Sequence, residues 1–215
     1  MSHKVNPKAF RIKELKDWDS RWFSEKNYQK YLKEDCEIRD FLNKELRGLS
    51  VENIEIERFE NNLRVIINTA RPALVIGRNG SRVTKLKEDL EEKIDSDGVK
   101  FKIEVREVKD PWSSASLTAQ WIAQQIEKRM HYRRVLKKSL GKASKRKDVE
   151  GIKIEVSGRL NGADISRREW VQEGSLPRQN LRAKIDFARV NAYCKYGVIG
   201  IKVYIYKGKK FEEEE

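Results

Sequence analysis

Val75-Ile76-Gly77-Arg78-Asn79-Gly80 sits between two helical patterns. A short apolar run follows Ala70 and Pro72 ahead of it. Behind it Val83, Leu86, Leu90 and Ile94 recur at helical spacing until Asp95, Ser96, Asp97 and Gly98 end the pattern. Two glycines around two polar residues let the backbone approach a phosphate closely, and the N-terminus of the next helix adds N–H groups and partial positive charge. The same spacing also occurs in ordinary inter-helix turns, so its weight comes from its surroundings.

Working outward, Ile38, Phe41, Leu42 and Leu46 mark a helix that Gly48 terminates. Ile54 and Ile56 alternate with Glu55 and Glu57, the cluster Glu60, Asn61 and Asn62 predicts a turn, and Arg64 to Asn68 is a second strand. After the glycine loop and its helix, Phe101, Ile103 and Val105 alternate with Lys102, Glu104 and Arg106 as a third strand. The order helix, strand, strand, helix, helix, strand resembles a type II KH domain, here residues 18–108. That module clamps about four nucleotides of backbone with its glycine loop and lays the bases in an apolar groove. Val75, Ile76, Val83 and Leu86 are equally readable as groove or as core.

Lys109, Asp110 and Pro111 break the pattern, and a second domain is expected over 109–211. Ile122, Ile126 and Met130 open a helical stripe that reads on through Leu136 and Leu140. Ile152, Ile154 and Val156, and later Ile199, Ile201, Val203 and Ile205, alternate with polar residues as strands. The expected fold class is α+β: an N-terminal type II KH domain followed by a C-terminal domain of helices on an antiparallel sheet. Residues 1–17 read as an N-terminal arm, and the acidic run 212–215 as a disordered tail.

Charge narrows the class of partner. With 47 Lys and Arg against 34 Asp and Glu, the net charge is +13, which favours a polyanion. Mean hydropathy is -0.79 and no apolar run approaches the roughly 20 residues of a spanning helix, so a nucleic acid is expected and a membrane is not. The basic start from Met1 to Pro7 lacks an apolar stretch behind it, and a cytoplasmic location is expected. Cys36 and Cys194 read as two reduced thiols, and His3 and His131 do not complete a metal site. No metal or cofactor is expected. A Gly-x-x-x-x-Gly-Lys-Ser/Thr loop, a Gly-x-Ser-x-Gly elbow and the histidines for a conventional triad are all missing from the sequence, so it does not read as an enzyme.

The stretch from Arg129 to Lys147 is rich in cations and has no acidic residue. On one helix Arg129, Arg133 and Lys137 would align four residues apart, as would Arg134 and Lys138, and such a stripe repels itself unless a polyanion relieves it. Arg159, Arg167, Arg168, Arg178, Arg182, Lys184 and Arg189 form a further set, interleaved with Asp164, Glu169, Glu173 and Asp186, so phosphate contact and solvated surface weigh equally there. Trp18, Trp22 and Phe23, and also Tyr204 and Tyr206, fit base stacking or core packing.

Lys4, Val5, Asn6, Pro7 and Arg11 followed by Trp18, Ser20, Trp22 and Phe23, then the approach Thr69 to Pro72 with its glycine loop, resemble the family of bacterial small-subunit ribosomal protein three. So do Tyr132-Arg133-Arg134 with Lys137, the run Glu155 to Leu160, Glu169-Trp170, Leu181-Arg182-Ala183 with Ile185 and Asp186, and Tyr196 to Gly200 with Lys202. The resemblance covers nearly the whole chain. It implies a structural protein in the head of the small subunit, bound to the 3′ domain of small-subunit rRNA and to neighbouring proteins ten and fourteen. It also implies a share, with proteins four and five, in the channel where mRNA enters, with Arg133, Arg134 and Lys137 facing the message. Lys4, Arg11, Arg159, Arg167, Arg168, Arg178 and Arg182 are then candidate rRNA contacts. Arg78 and Asn79 stand where the family commonly has two lysines, Asn161, Asp164, Ser166 and Arg168 depart from the usual signature, and acids replace a long basic tail. A free regulatory KH protein would not need residues 151–207, and a nucleic-acid lyase finds no motif to support it.

Overall fold

The computed structural model describes residues 5–12, 18–59, 62–93 and 100–209. Lys4, the start of the expected 60–62 turn, the 95–98 helix end and the 212–215 tail lie outside the described residues. Two compact units emerge: residues 16–109, and residues 1–15 together with 110–215. The opening segment, read from sequence as a separate arm, therefore belongs with the C-terminal unit. Its helix α1 (Pro7–Phe10) is capped by the Asn6 side chain, which accepts from the Lys8 N–H at 2.9 Å.

The first unit runs β1 (Ser20–Arg21), α2 (Tyr28–Glu45), β2 (Val51–Phe59), β3 (Asn62–Thr69), α3 (Pro72–Ile76), a 3-10 turn (Arg78–Gly80), α4 (Ser81–Lys93) and β4 (Lys100–Glu107). Strand order is β1-β2-β3-β4, with β2 and β3 antiparallel and β4 parallel to β3. Ile38 and Leu42 of α2 stand one turn apart with no exposed surface, and they pack with Ile54, Ile56, Val65, Ile67 and the α4 residues Leu86 and Leu90. Each such side chain contributes about 1.5–3 kcal/mol on burial. This is the KH layer order expected from the sequence. The two-residue β1, parallel to β2, carried no periodic signal and was missed.

The second unit adds α5 (Ala115–Glu127), α6 (Tyr132–Ala143), β5 (Gly151–Gly158), β6 (Arg167–Gly174), β7 (Ala183–Cys194) and β8 (Gly197–Lys209) to α1. Its four strands are ordered β6-β5-β8-β7 and are antiparallel throughout. Ile122 and Ile126 of α5 and Val135 and Leu136 of α6 cover Ile152, Ile154, Val156, Ile201 and Val203 on one face.

The single stripe expected from Ile122 through Leu140 is corrected to two helices. Arg129 takes φ +61, its N–H donates to the Ile126 carbonyl at 2.9 Å, and the Met130 N–H reaches back to the Gln125 carbonyl at 3.1 Å. That pair of bonds closes a helix with a left-handed residue, a place usually held by glycine. With arginine there, the sequence lacked the usual stop signal. No helix among the described residues is long and apolar enough to cross a membrane.

Candidate nucleic-acid interface

The glycine loop is built by its backbone. Pro72 opens α3 with a φ already suited to a first turn, and the helix closes when the Gly77 N–H donates to the Ala73 carbonyl at 3.0 Å. Gly77 then turns to φ +76, ψ -178, a region open essentially to glycine alone, and a Cβ there would lie 2.8 Å from the Arg82 Cβ. Asn79 and Gly80 are also left-handed, at φ +50 and +77. Arg78 and Asn79 are thereby presented as exposed residues just ahead of α4. The groove candidates divide: Val75 and Leu86 are core, Val83 is half-buried, and Ile76 is exposed. Leu74, unremarked in the sequence, is exposed beside Ile76.

On α6 the apolar face of Tyr132, Val135, Leu136 and Ala143 is buried, which leaves Arg133, Arg134, Lys137 and Lys138 exposed. Arg129 is no longer in line with them, since it belongs to the helix break. Arg133 is not the uncompensated charge that the acid-free stretch suggested. Its guanidinium donates twice to Glu169 of β6, at 3.1 and 3.0 Å, and the Tyr132 hydroxyl donates to the same carboxylate at 2.6 Å. The Arg133 hydrogen bond and then that of Tyr132 hold Glu169 below the usual carboxylate range, while Glu169 pushes Arg133 and Tyr132 up. Lys138 approaches the Trp121 ring at 6.0 Å, and Lys142 lies 4.8 Å from the Trp112 ring. Among the described residues, no ion pair holds Arg134 or Lys137.

The other cationic candidates separate in the same way. Arg11 is buried, and its guanidinium donates to the carbonyls of Pro7, Arg178 and Asn180 at 3.1, 2.9 and 2.7 Å. Those bonds pin the opening segment to the C-terminal unit and remove Arg11 from the candidate rRNA contacts. Lys8 adds a 3.1 Å pair to Asp186, whose other oxygen accepts the first N–H of α5. Arg159 is tied to the Ala163 carbonyl and to Asp164, and Arg168 to Glu155 at 2.5 Å. Arg167 and Arg182 are exposed and Arg178 is half-buried.

Aromatic residues sort by burial. Tyr204 and Tyr206 are core and cannot stack on a base; Trp22 donates to Asp35 and packs edge-on against Tyr31. Trp18 and Phe23 remain exposed.

Comparison with known proteins bears on the whole chain. The family model for the ribosomal protein S3 C-terminal domain matches residues 122–205, and that for the KH domain matches 37–113. Relatives described as small ribosomal subunit protein uS3 include one from Hydrogenovibrio crunogenus, 47% identical over 99% of this chain and 92% of its own length. One from Caldicellulosiruptor saccharolyticus is 47% identical over 97% and 93%, and one from Desulfovibrio desulfuricans is 45% identical over 100% and 99%.

Proposed function

The chain belongs to the family of small ribosomal subunit protein uS3, a family of structural proteins and not of enzymes, and from that premise we propose that it helps to build the head of the small subunit and line the path of the incoming message. In this reading it binds the 3′ domain of small-subunit rRNA, neighbours proteins ten and fourteen, and shares the mRNA channel with proteins four and five, on cytoplasmic ribosomes. The full-length similarity carries the ribosomal assignment.

Within that assignment the residues take different parts. The loop Gly77 to Gly80 offers backbone and one cation, Arg78, to a phosphate chain. On α6, Arg134 and Lys137 present mobile charge to the mRNA backbone, which positions a strand without reading its sequence. Arg133, held by Glu169, sets the rim of that face instead of reaching outward.

Sedimentation of the tagged protein in lysate gradients at moderate and high salt tests the ribosomal part. Phosphate contacts alone weaken by factors on the order of a thousand over such a change, so co-migration with the small subunit in high salt is expected, and migration as free protein would overturn the reading. For the channel, ribosomes carrying Arg134→Ala with Lys137→Ala are expected to assemble normally and to slow several-fold at a stable mRNA hairpin. Unchanged passage removes the channel assignment.

A further inference from the structure

The four-stranded sheet of the C-terminal unit has a second face, opposite the one that α5 and α6 cover. Strand register places Trp170, Glu155, Lys202 and Arg189 in one row across it, from β6 through β5 and β8 to β7. Arg168 and Lys153, each two residues along a strand from that row, point to the same side. Four cations thus share this side of the sheet with one carboxylate and one indole.

Trp170 is 56% exposed, an unusual position for the largest apolar side chain on a strand that could have turned it inward. Lys153 lies 4.2 Å from its ring centroid. The Glu155 carboxylate, only 5% exposed, sits beneath the cluster and holds Arg168 at 2.5 Å and Lys202 at 4.0 Å, while the Arg168 and Lys202 side chains stay 55% and 39% exposed. One buried anion therefore orients several cations whose outer surfaces still face solvent. An apolar partner would be poorly served by such a rim, and an anionic one without rings would leave the indole unused. A chain of alternating phosphates and bases satisfies both.

Tyr204, Tyr206 and Ile185 lie on the same side of the sheet but are buried, so only the part around Trp170 is exposed. We propose that this exposed part of the sheet face is a platform for single-stranded RNA, with Trp170 stacking on a base and Arg168, Lys202 and Arg189 meeting the flanking phosphates. The proposal rests on the reading of the chain as a ribosomal RNA-binding protein and adds a base-contacting site to its backbone-contacting ones. Stacking on an aromatic side chain tolerates any base, so the platform grips an unpaired segment without selecting its sequence.

The test uses the full chain in an Arg78→Asp, Asn79→Asp background that silences the glycine loop. Binding of fluorescein-labelled oligouridine of about a dozen nucleotides, within the site sizes of single-strand binders, is followed by anisotropy at two salt concentrations. Trp170→Ala is expected to weaken binding on the order of ten- to a hundredfold with an unchanged salt slope, and Trp170→Phe to restore most of it. Lys202→Gln is expected to lower the salt slope by about one. Since Trp170 is exposed, these variants should keep the parent's thermal melt. A Trp170→Ala affinity within about twofold of the parent, below what loss of one stacked base costs, overturns the platform. Equal displacement of the RNA by polyglutamate at matched charge overturns it too, by showing a surface that reads charge alone. Co-sedimentation of Trp170→Ala with the small subunit, together with unchanged oligouridine binding, would end the platform and leave the ribosomal reading standing; failure of the wild-type chain to co-sediment would end that reading itself.

Discussion

Both units lay helices on one face of a four-stranded sheet, yet they treat the other face in opposite ways. In the KH unit three arginines and three glutamates tile it: Arg21 meets Glu55 at 3.0 Å and Glu57 at 2.6 Å, Arg64 bridges Glu57 and Glu104, and Arg106 meets Glu104 at 2.8 Å. In the C-terminal unit a single carboxylate on that face, Glu155, faces three cations, Arg168, Lys202 and Lys153. A net charge of +13 is therefore not spread evenly. The KH unit pairs its sheet charges with one another, whereas several cations of the C-terminal sheet keep exposed surface.

The largest effect is expected where backbone alone sustains the interface. Gly77→Ala must adopt a glycine-only conformation and crowd Arg82, and should cost about 3 kcal/mol, read as lost hydrogen-exchange protection of the β3 amides. Gly80→Ala has open space and strain only, and should cost about 1 kcal/mol. Equal costs at the two positions would mean that the close approach at Gly77 is unimportant, and the contrast between backbone-made and side-chain-made interfaces would weaken.

Next comes the lone carboxylate. Burial alone would push the Glu155 carboxyl up, but its hydrogen bond to Arg168 and the charges of Arg168, Lys202 and Lys153 outweigh that and hold it below the usual range. Glu155→Ala should cost about 2 kcal/mol at neutral pH, in exchange protection of β5 and β8, with the loss moderated because the freed cations can turn to water. A depressed folded pKa means that the unfolded chain binds the extra proton. The stabilisation is thus complete above the unfolded value of about 4.3 and fades as pH falls through the folded one. Wild type and variant should converge in acid. A gap that is constant from neutral pH to strong acid would show that Glu155 acts through packing.

The smallest effect belongs to the tiled face. Arg64→Met removes one member of a redundant, partly exposed set and should change Tm by no more than about 2 °C, with RNA affinity unaltered. A marked fall in affinity would erase the distinction between the two faces.

Legibility in the sequence followed range. The KH order, the glycine loop and the antiparallel second sheet were readable because helix and strand periodicities are written in residues a few positions apart, as in Ile38 and Leu42 or Ile152, Ile154 and Val156. The α5–α6 break escaped because Arg129 holds a left-handed turn that periodicity assigns to no residue type. Leu74 and Ile76 could not be told from Val75 by hydrophobicity, since burial depends on which side of a five-residue helix faces inward.

By itself, the sequence determined the layer order of each unit, the place of the glycine loop and the family, all of which rest on local pattern. Only the tertiary structure decided which cations remain available. Arg133 meets its carboxylate 36 residues away on β6, and Arg11 meets carbonyls more than 160 residues away, so each guanidinium is engaged by partners that no local spacing reveals. Arg134, the next residue and also an arginine, is exposed, and among the described residues no ion pair holds it. A helix advances about 100° per residue, and that rotation, set against a neighbouring strand, separates the arginine paired with Glu169 from the one that is not.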